Sequence, residues 1–115
     1  KSDRLKIGKM YVKLIKILID QKINVIFSVV GLFHELQKNN RKIFKNYLEI
    51  FIKSDIQVLL KKKRKVFYQK KTNNVWGIDL KPEFPKKPDI TIMNDFKKNT
   101  KYLTKELISK IKRKI

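Results

Sequence analysis

The 115 residues contain no cysteine, which excludes a disulfide framework, thiolate-held zinc and a cysteine nucleophile. The single histidine, His34, leaves little for a histidine-rich metal site. No carboxylate pattern beside it suggests acid–base chemistry, so it reads as a surface residue. No apolar run approaches the ~20 residues that cross a bilayer, and the opening residues do not form a signal peptide. Acidic residues are also scarce, 10 against 30 Lys and Arg, for a net charge of +20. What is present is 42% hydrophobic residues, enough for a core and too many for a disordered basic tail. This balance describes a cytoplasmic globular chain, one small domain or a piece of a larger one. The chain opens on Lys1 rather than Met, and we expect residues upstream of it.

A basic surplus of this size suits an anionic partner: nucleic acid, nucleotide phosphates or a membrane surface. The densest run is Lys61-Lys62-Lys63-Arg64-Lys65, followed by Lys70 and Lys71, and a second cluster closes the chain at Lys110, Lys112, Arg113 and Lys114. Taken singly, most of these cations read as solvated surface. Five in a row repel one another and are best tolerated where anions bind.

Apolar residues at Ile7, Met10, Tyr11, Leu14, Ile15 and Leu18 recur at helical steps and predict a helix over 4–21. Residues 23–30, nearly all apolar and rich in β-branched side chains, predict a strand buried on both faces and ended by Gly31. Residues 33–46 read as a polar helix and Tyr47–Ile52 as a second strand. Ser54-Asp55-Ile56-Gln57 has the form of a capping box, with Ser54 placed to accept from the Gln57 amide and open a helix through Leu60. Residues 63–89 lack periodicity and hold Gly77, Pro82, Pro85 and Pro88, the pattern of a long lid-like loop. Asp89–Met93 predicts a third short strand, and a last helix is expected from about Asp95 to Lys112. Strands alternating with helices predict an α/β fold, a layered parallel sheet flanked by helices. Ligands in such folds sit beyond the carboxyl ends of the strands. That gathers the stretch after Val30, the turn after Ile52 and the long loop on one functional edge. Three strands make a thin sheet, so the fold is expected to be incomplete at its amino end.

The ordered residues resemble the adenylylsulfate kinase family, P-loop kinases that phosphorylate the 3′-hydroxyl of a nucleotide. Asp3-Arg4 looks like the family's Asp-Arg, and the helix after it ends in Asp20-Gln21. Phe27-Ser28-Val29-Val30-Gly31-Leu32-Phe33 with the later Arg41 resembles the family's strand ending in Ile-Ser-Pro-Tyr/Phe and its following Arg. Lys62-Lys63-Arg64-Lys65-Val66-Phe67-Tyr68 lies over Arg-Asp-x-Lys-Gly-Leu-Tyr. Gly77-Ile78-Asp79, Glu83, Pro85, Pro88 and Asp89 lie over Gly-Ile-Asp…Glu-x-Pro…Pro-Asp/Glu. On this resemblance, residues 1–115 form the carboxyl-terminal portion of one such domain, with a lid at about 63–89. Four positions depart from the pattern. Gly31 replaces the family's Ser, Ile7 replaces an Asn associated with substrate, Lys63 reverses the charge of an Asp, and Val75 stands where an aromatic clamps the base. The lid is also shorter. No glycine-rich G-x-x-x-x-G-K-[ST] loop occurs in the sequence, although such a loop is what cradles ATP phosphates and magnesium.

The resemblance implies ATP with magnesium as cofactors and a nucleotide as the acceptor. It places substrate binding at Arg4, Phe33, Arg41, Trp76 and Asp79, with Lys62 and Lys65 as lid cations near the phosphates. No catalytic base and no metal ligand is assigned to these residues, since the base and the phosphate loop are expected upstream. Each position also has an ordinary reading. Arg4 and Arg41 suit phosphate or sulfate through a planar fork of donors, or pair with local carboxylates. Phe33 stacks on a base or packs a core, and Trp76 closes over a nucleotide or anchors its loop. Lys62 and Lys65 neutralise phosphoryl charge or stay solvated. Asp79 orients the lid or caps a turn beside Gly77.

The expected activity is transfer of the ATP γ-phosphate to a nucleotide 3′-hydroxyl, in sulfate assimilation if the acceptor is adenylylsulfate. A cytidine diphosphoramidate kinase of capsule modification is the alternative acceptor class. Another class of function is a non-catalytic basic module for nucleic acid or a protein partner, marked by salt-sensitive binding. No helix-turn-helix, zinc-finger or RNA-binding signature supports nucleic acid. A membrane is not expected as partner, and a homodimer is compatible with the sequence.

Overall fold

The computed structural model describes residues 2–30, 33–55, 57–58 and 81–115. The chain forms two compact units, one of Lys1–Tyr47 with Glu83–Pro85 and the other of Leu48–Pro82 with Lys86–Ile115.

In the first unit, helix α1 spans Ser2–Asp20, with Asp3 in its first turn complementing the positive end of the helix dipole. Its end is fixed by backbone geometry. Lys22 adopts a left-handed φ of 63°. The Lys22 N–H donates to Ile19 O at 2.9 Å and the Ile23 N–H donates to Leu18 O at 3.1 Å, the paired bonds of a Schellman stop. One face, Leu5, Gly8, Val12 and Ile15, is half-buried. A methyl group at Gly8 would meet Leu36 Cδ1 at 2.5 Å, so the glycine permits the close approach of α1 to the second helix. The other apolar stripe, Ile7, Met10, Leu14 and Ile17, is half exposed or more.

Helix α2, His34–Ile43, follows the expected polar pattern and buries only Leu36. Its stop is the Phe44 N–H donating to Asn40 O at 2.9 Å. The core of this unit is Phe33, Leu36 and Phe44, and Phe44 stacks on Tyr47 with centroids 6.3 Å apart.

Residues 23–30, expected as a strand, form none. Ile26 is fully exposed there, and Val29 and Val30 are more than half exposed. β-Branched composition stabilises a strand only against ladder neighbours, and this unit holds no strand among its described residues to serve as one. Phe27 still packs, with its ring tilted on Tyr11 at 5.4 Å.

The second unit is built on a parallel pair, β1 (Ile50–Lys53) and β2 (Ile90–Met93), in register Ile50 to Ile90 and Ile52 to Ile92. Alternation in β2 buries Ile90 and Ile92 while Thr91 and Met93 face out. The ladder does not reach back to Tyr47 as the sequence suggested. Pro88 has no N–H to extend it. Instead the Glu49 N–H donates to the Asp89 carboxylate at 2.8 Å, and the Asp89 N–H donates to Glu49 O at 2.9 Å. The far end is closed by the Ser54 hydroxyl donating to Asn94 O at 2.9 Å. Ser54 is therefore not the cap of a capping box, and the Gln57 N–H donates to Asp55 at 2.7 Å instead. Leu59 and Leu60, the rest of that expected helix, lie outside the described residues.

Helix α3 spans Thr100–Lys112 and packs on β2. It starts later than Asp95 because the side-chain Oδ1 atoms of Asn94 and Asp95 accept from the amides two residues on, Phe96 at 3.2 Å and Lys97 at 3.0 Å. Phe96 has a left-handed φ of 62°, and Asn99 then caps the helix by accepting from the Tyr102 N–H at 2.8 Å. Among the described residues the architecture is three helices and a two-stranded parallel sheet, a mixed α/β arrangement with one strand fewer than expected. Among the described residues no helix is long and apolar enough to cross a membrane.

Candidate functional site

Three of the seven expected binding residues are described, all in the first unit. Arg4 is exposed on the first turn of α1. Phe33 is the N-cap of α2, only 4% exposed and part of the core, so its ring face is covered. Arg41 lies in the last turn of the same helix, about 12 Å further along its axis at 1.5 Å per residue. Its guanidinium sits 5.5 Å from the centroid of Tyr47, within reach of the ring quadrupole. Trp76, Asp79, Lys62 and Lys65 lie outside the described residues, as do Gly31, Lys63 and Val75. Ile7, which departs from the family's Asn, is half exposed on α1.

Tyr47 also meets Asn40, whose Nδ2 is 3.5 Å from the phenol oxygen. Asn40 Oδ1 is buried without a hydrogen-bond partner, an unusual state for a buried polar atom.

The amino end of α2 holds a group that the periodicity did not reveal. Phe33 has no side-chain oxygen to cap the helix. Glu83, far along the chain, supplies the acceptor: the His34 N–H donates to Glu83 Oε2 at 2.9 Å. Gln37 Nε2 donates to the Glu83 carbonyl at 3.2 Å. His34 Nε2 is 2.7 Å from the Phe84 carbonyl, which can only accept, so the tautomer inferred carries its proton on Nε2. Nδ1 then faces Glu83 Oε2 at 4.0 Å. His34, expected as a surface residue, keeps 40% of its side chain exposed while making this contact. The signal available beforehand was the Glu83-Phe84-Pro85 motif, read only as part of a family pattern.

Neither of the two capped helix starts fits Mg·ATP. A triphosphate needs a ring of backbone N–H groups, usually at a helix start. Here the start of α2 is filled by the Glu83 carboxylate and that of α3 by Asn99. Among the described residues no three His, Cys, Asp or Glu side chains gather to hold a metal ion.

The adenylylsulphate kinase family model matches residues 1–93. The chain belongs to the adenylylsulphate kinase family. Membership makes it a relative of kinase-type transferases that act on nucleotides. Among curated proteins, a cytidine diphosphoramidate kinase of Campylobacter jejuni is 31% identical over 115 aligned positions, which cover 96% of this chain and 67% of that protein. No solved structure matches the chain. In this family ATP and magnesium are the general cofactors, and the capped starts of α2 and α3 offer them no cradle.

Proposed function

We propose that these residues form the acceptor side of a nucleotide kinase whose acceptor is a cytidine nucleotide of the diphosphoramidate type. The observation that carries this reading is the relative matched across 96% of the chain. The departures at Ile7, Gly31 and Lys63 from the adenylylsulfate pattern favour it further. The reaction expected of the intact enzyme moves the γ-phosphoryl of ATP to a ribose 3′-hydroxyl, releasing ADP. Most of the catalytic advantage in phosphoryl transfer comes from positioning and charge stabilisation, so residues that only hold the acceptor matter to rate. Arg41, presented on Tyr47, and Arg4 are assigned to the acceptor's anionic groups. Trp76 and Asp79 are assigned to its nucleoside, and Lys62 and Lys65 to the phosphates. Phe33 is assigned to orienting this surface from within the core.

Adenylylsulfate is the second reading, supported by the family match over residues 1–93 and placing the chain in sulfate assimilation. The deciding experiment measures ADP release by the natural protein with each acceptor. Saturable turnover with the cytidine compound alone is expected. Turnover with adenylylsulfate alone replaces the acceptor, and salt-sensitive nucleic-acid binding without turnover on either replaces the kinase reading.

A further inference from the structure

We propose that Glu83 is a positioning residue, a long-range cap that fixes where α2 begins and thereby orients the acceptor surface that α2 carries. The inference rests on the acceptor reading for its functional half and on geometry alone for its structural half.

A ten-residue helix with a polar sequence is too short to hold itself in water. Helix α2 has one buried side chain, Leu36, and an N-cap residue that offers no side-chain acceptor. The first-turn amides must be satisfied from elsewhere. Glu83 does this from 49 residues away, and its negative charge meets the positive end of the helix dipole. The attachment is not one bond. Gln37, one turn on, returns a bond to the Glu83 carbonyl, and the His34 ring holds the next carbonyl, Phe84. Contacts on two successive residues and from two helical positions define direction as well as distance.

The segment is suited to this. Pro82 and Pro85 bracket Glu83 and Phe84, fixing φ at both ends and favouring an extended Phe84. Less conformational freedom is lost when such a segment docks. Its membership is telling: Glu83–Pro85 belong to the first unit, although the residues on both sides belong to the second. Within this three-residue segment Glu83 and Phe84 together make three hydrogen-bond contacts to the first turn of α2. Phe33 at that start and Arg41 near the far end take their places from the same rigid helix.

The test compares the wild-type chain with Glu83→Ala, Glu83→Gln and Gln37→Ala by hydrogen exchange, reading the amides of residues 34–37 against those of α3. Glu83→Ala is expected to speed exchange at 34–37 about tenfold, the size of a lost cap, with α3 unchanged. Glu83→Gln keeps an acceptor oxygen and is expected to restore most of the protection. Unchanged exchange at 34–37 in a folded Glu83→Ala chain overturns the inference. If that variant does not fold, Gln37→Ala decides, with a smaller change at the same amides expected and no change overturning it.

The functional half is read by titrating cytidine 5′-diphosphate and adenylylsulfate. When the wild type binds either, Glu83→Ala is expected to weaken binding at least about fivefold, with rescue by Glu83→Gln. Equal binding by all variants overturns the positioning role. A wild type that binds neither refutes the acceptor reading, while the exchange comparison still decides the cap.

Discussion

The two units solve the same problem with different materials. The second joins two short strands by reciprocal backbone bonds and fastens both ends of the ladder, with Asp89 at one and Ser54 at the other. The first has no ladder among its described residues and relies on side chains reaching backbone, above all Glu83 and His34 at the start of α2. Backbone ladders tolerate changes of side chain as long as the buried face is kept. A helix held at its start by a few side-chain contacts, from Glu83, Gln37 and His34, depends on the identity of those residues. The unit that carries Arg4, Phe33 and Arg41 is thus the one whose geometry is the more easily altered by substitution.

That contrast can be broken most forcefully in the second unit. Ile92, the least exposed of the core residues at 2%, is expected to cost about 3 kcal/mol as Ile92→Ala, seen as a lower midpoint in urea unfolding. A loss much below 1 kcal/mol would mean that the ladder, not the buried face, carries the unit. Asp89→Ala removes the acceptor of the Glu49 N–H and is expected to cost about 2 kcal/mol. Exchange at Glu49 and Ile90 should then rise ahead of that at Ile92. In the first unit, Lys22→Gly relieves a left-handed side chain at the end of α1 and is expected to stabilise by about 0.5 kcal/mol. No gain in the thermal midpoint would show that α1 is not coupled to the cooperative transition.

The smallest effect concerns acid. The hydrogen bond from the Lys110 ammonium, opposed by desolvation and helped by the charges of Lys110 and Lys98, lowers the Glu106 carboxyl below its ordinary value. A carboxylate whose folded-state pKa is depressed adds stability above its unfolded pKa, about 4.3, and that stability is lost as pH falls through the folded value. Glu106→Gln is therefore expected to flatten slightly the acid side of the stability curve of the second unit. Exposure and salt keep the effect small.

Local rules made most of the elements legible. The heptad-like spacing of Ile7, Leu14 and Leu18 located α1 to within two residues at its start and one at its end, and the β-branched run at 90–92 located β2. Residues 23–30 carry an equally strong β composition, and they failed as a strand because pairing is a property of neighbours rather than of sequence. The start of α3 was misjudged because Asn94 and Asp95 spend their side chains on local turns, which competes with helix initiation. Glu83 was visible as a motif residue but not as a cap, since nothing local links it to His34. For the candidate site, family resemblance pointed to residue types and positions. Neither composition nor period could show that Phe33 would be covered or that Arg41 would rest on Tyr47.

The bare stripe of α1 has a consequence for how the protein behaves in solution. Ile7, Met10, Leu14 and Ile17 offer a greasy strip on a molecule of net charge +20. In dilute buffer, mutual repulsion extends some 30 Å at 0.01 M salt and keeps such strips from meeting. Near 1 M salt the repulsion shrinks to about 3 Å, and the strips can touch. Light scattering of this chain should therefore rise with added sodium chloride, opposite to the behaviour of a protein held together by ion pairs.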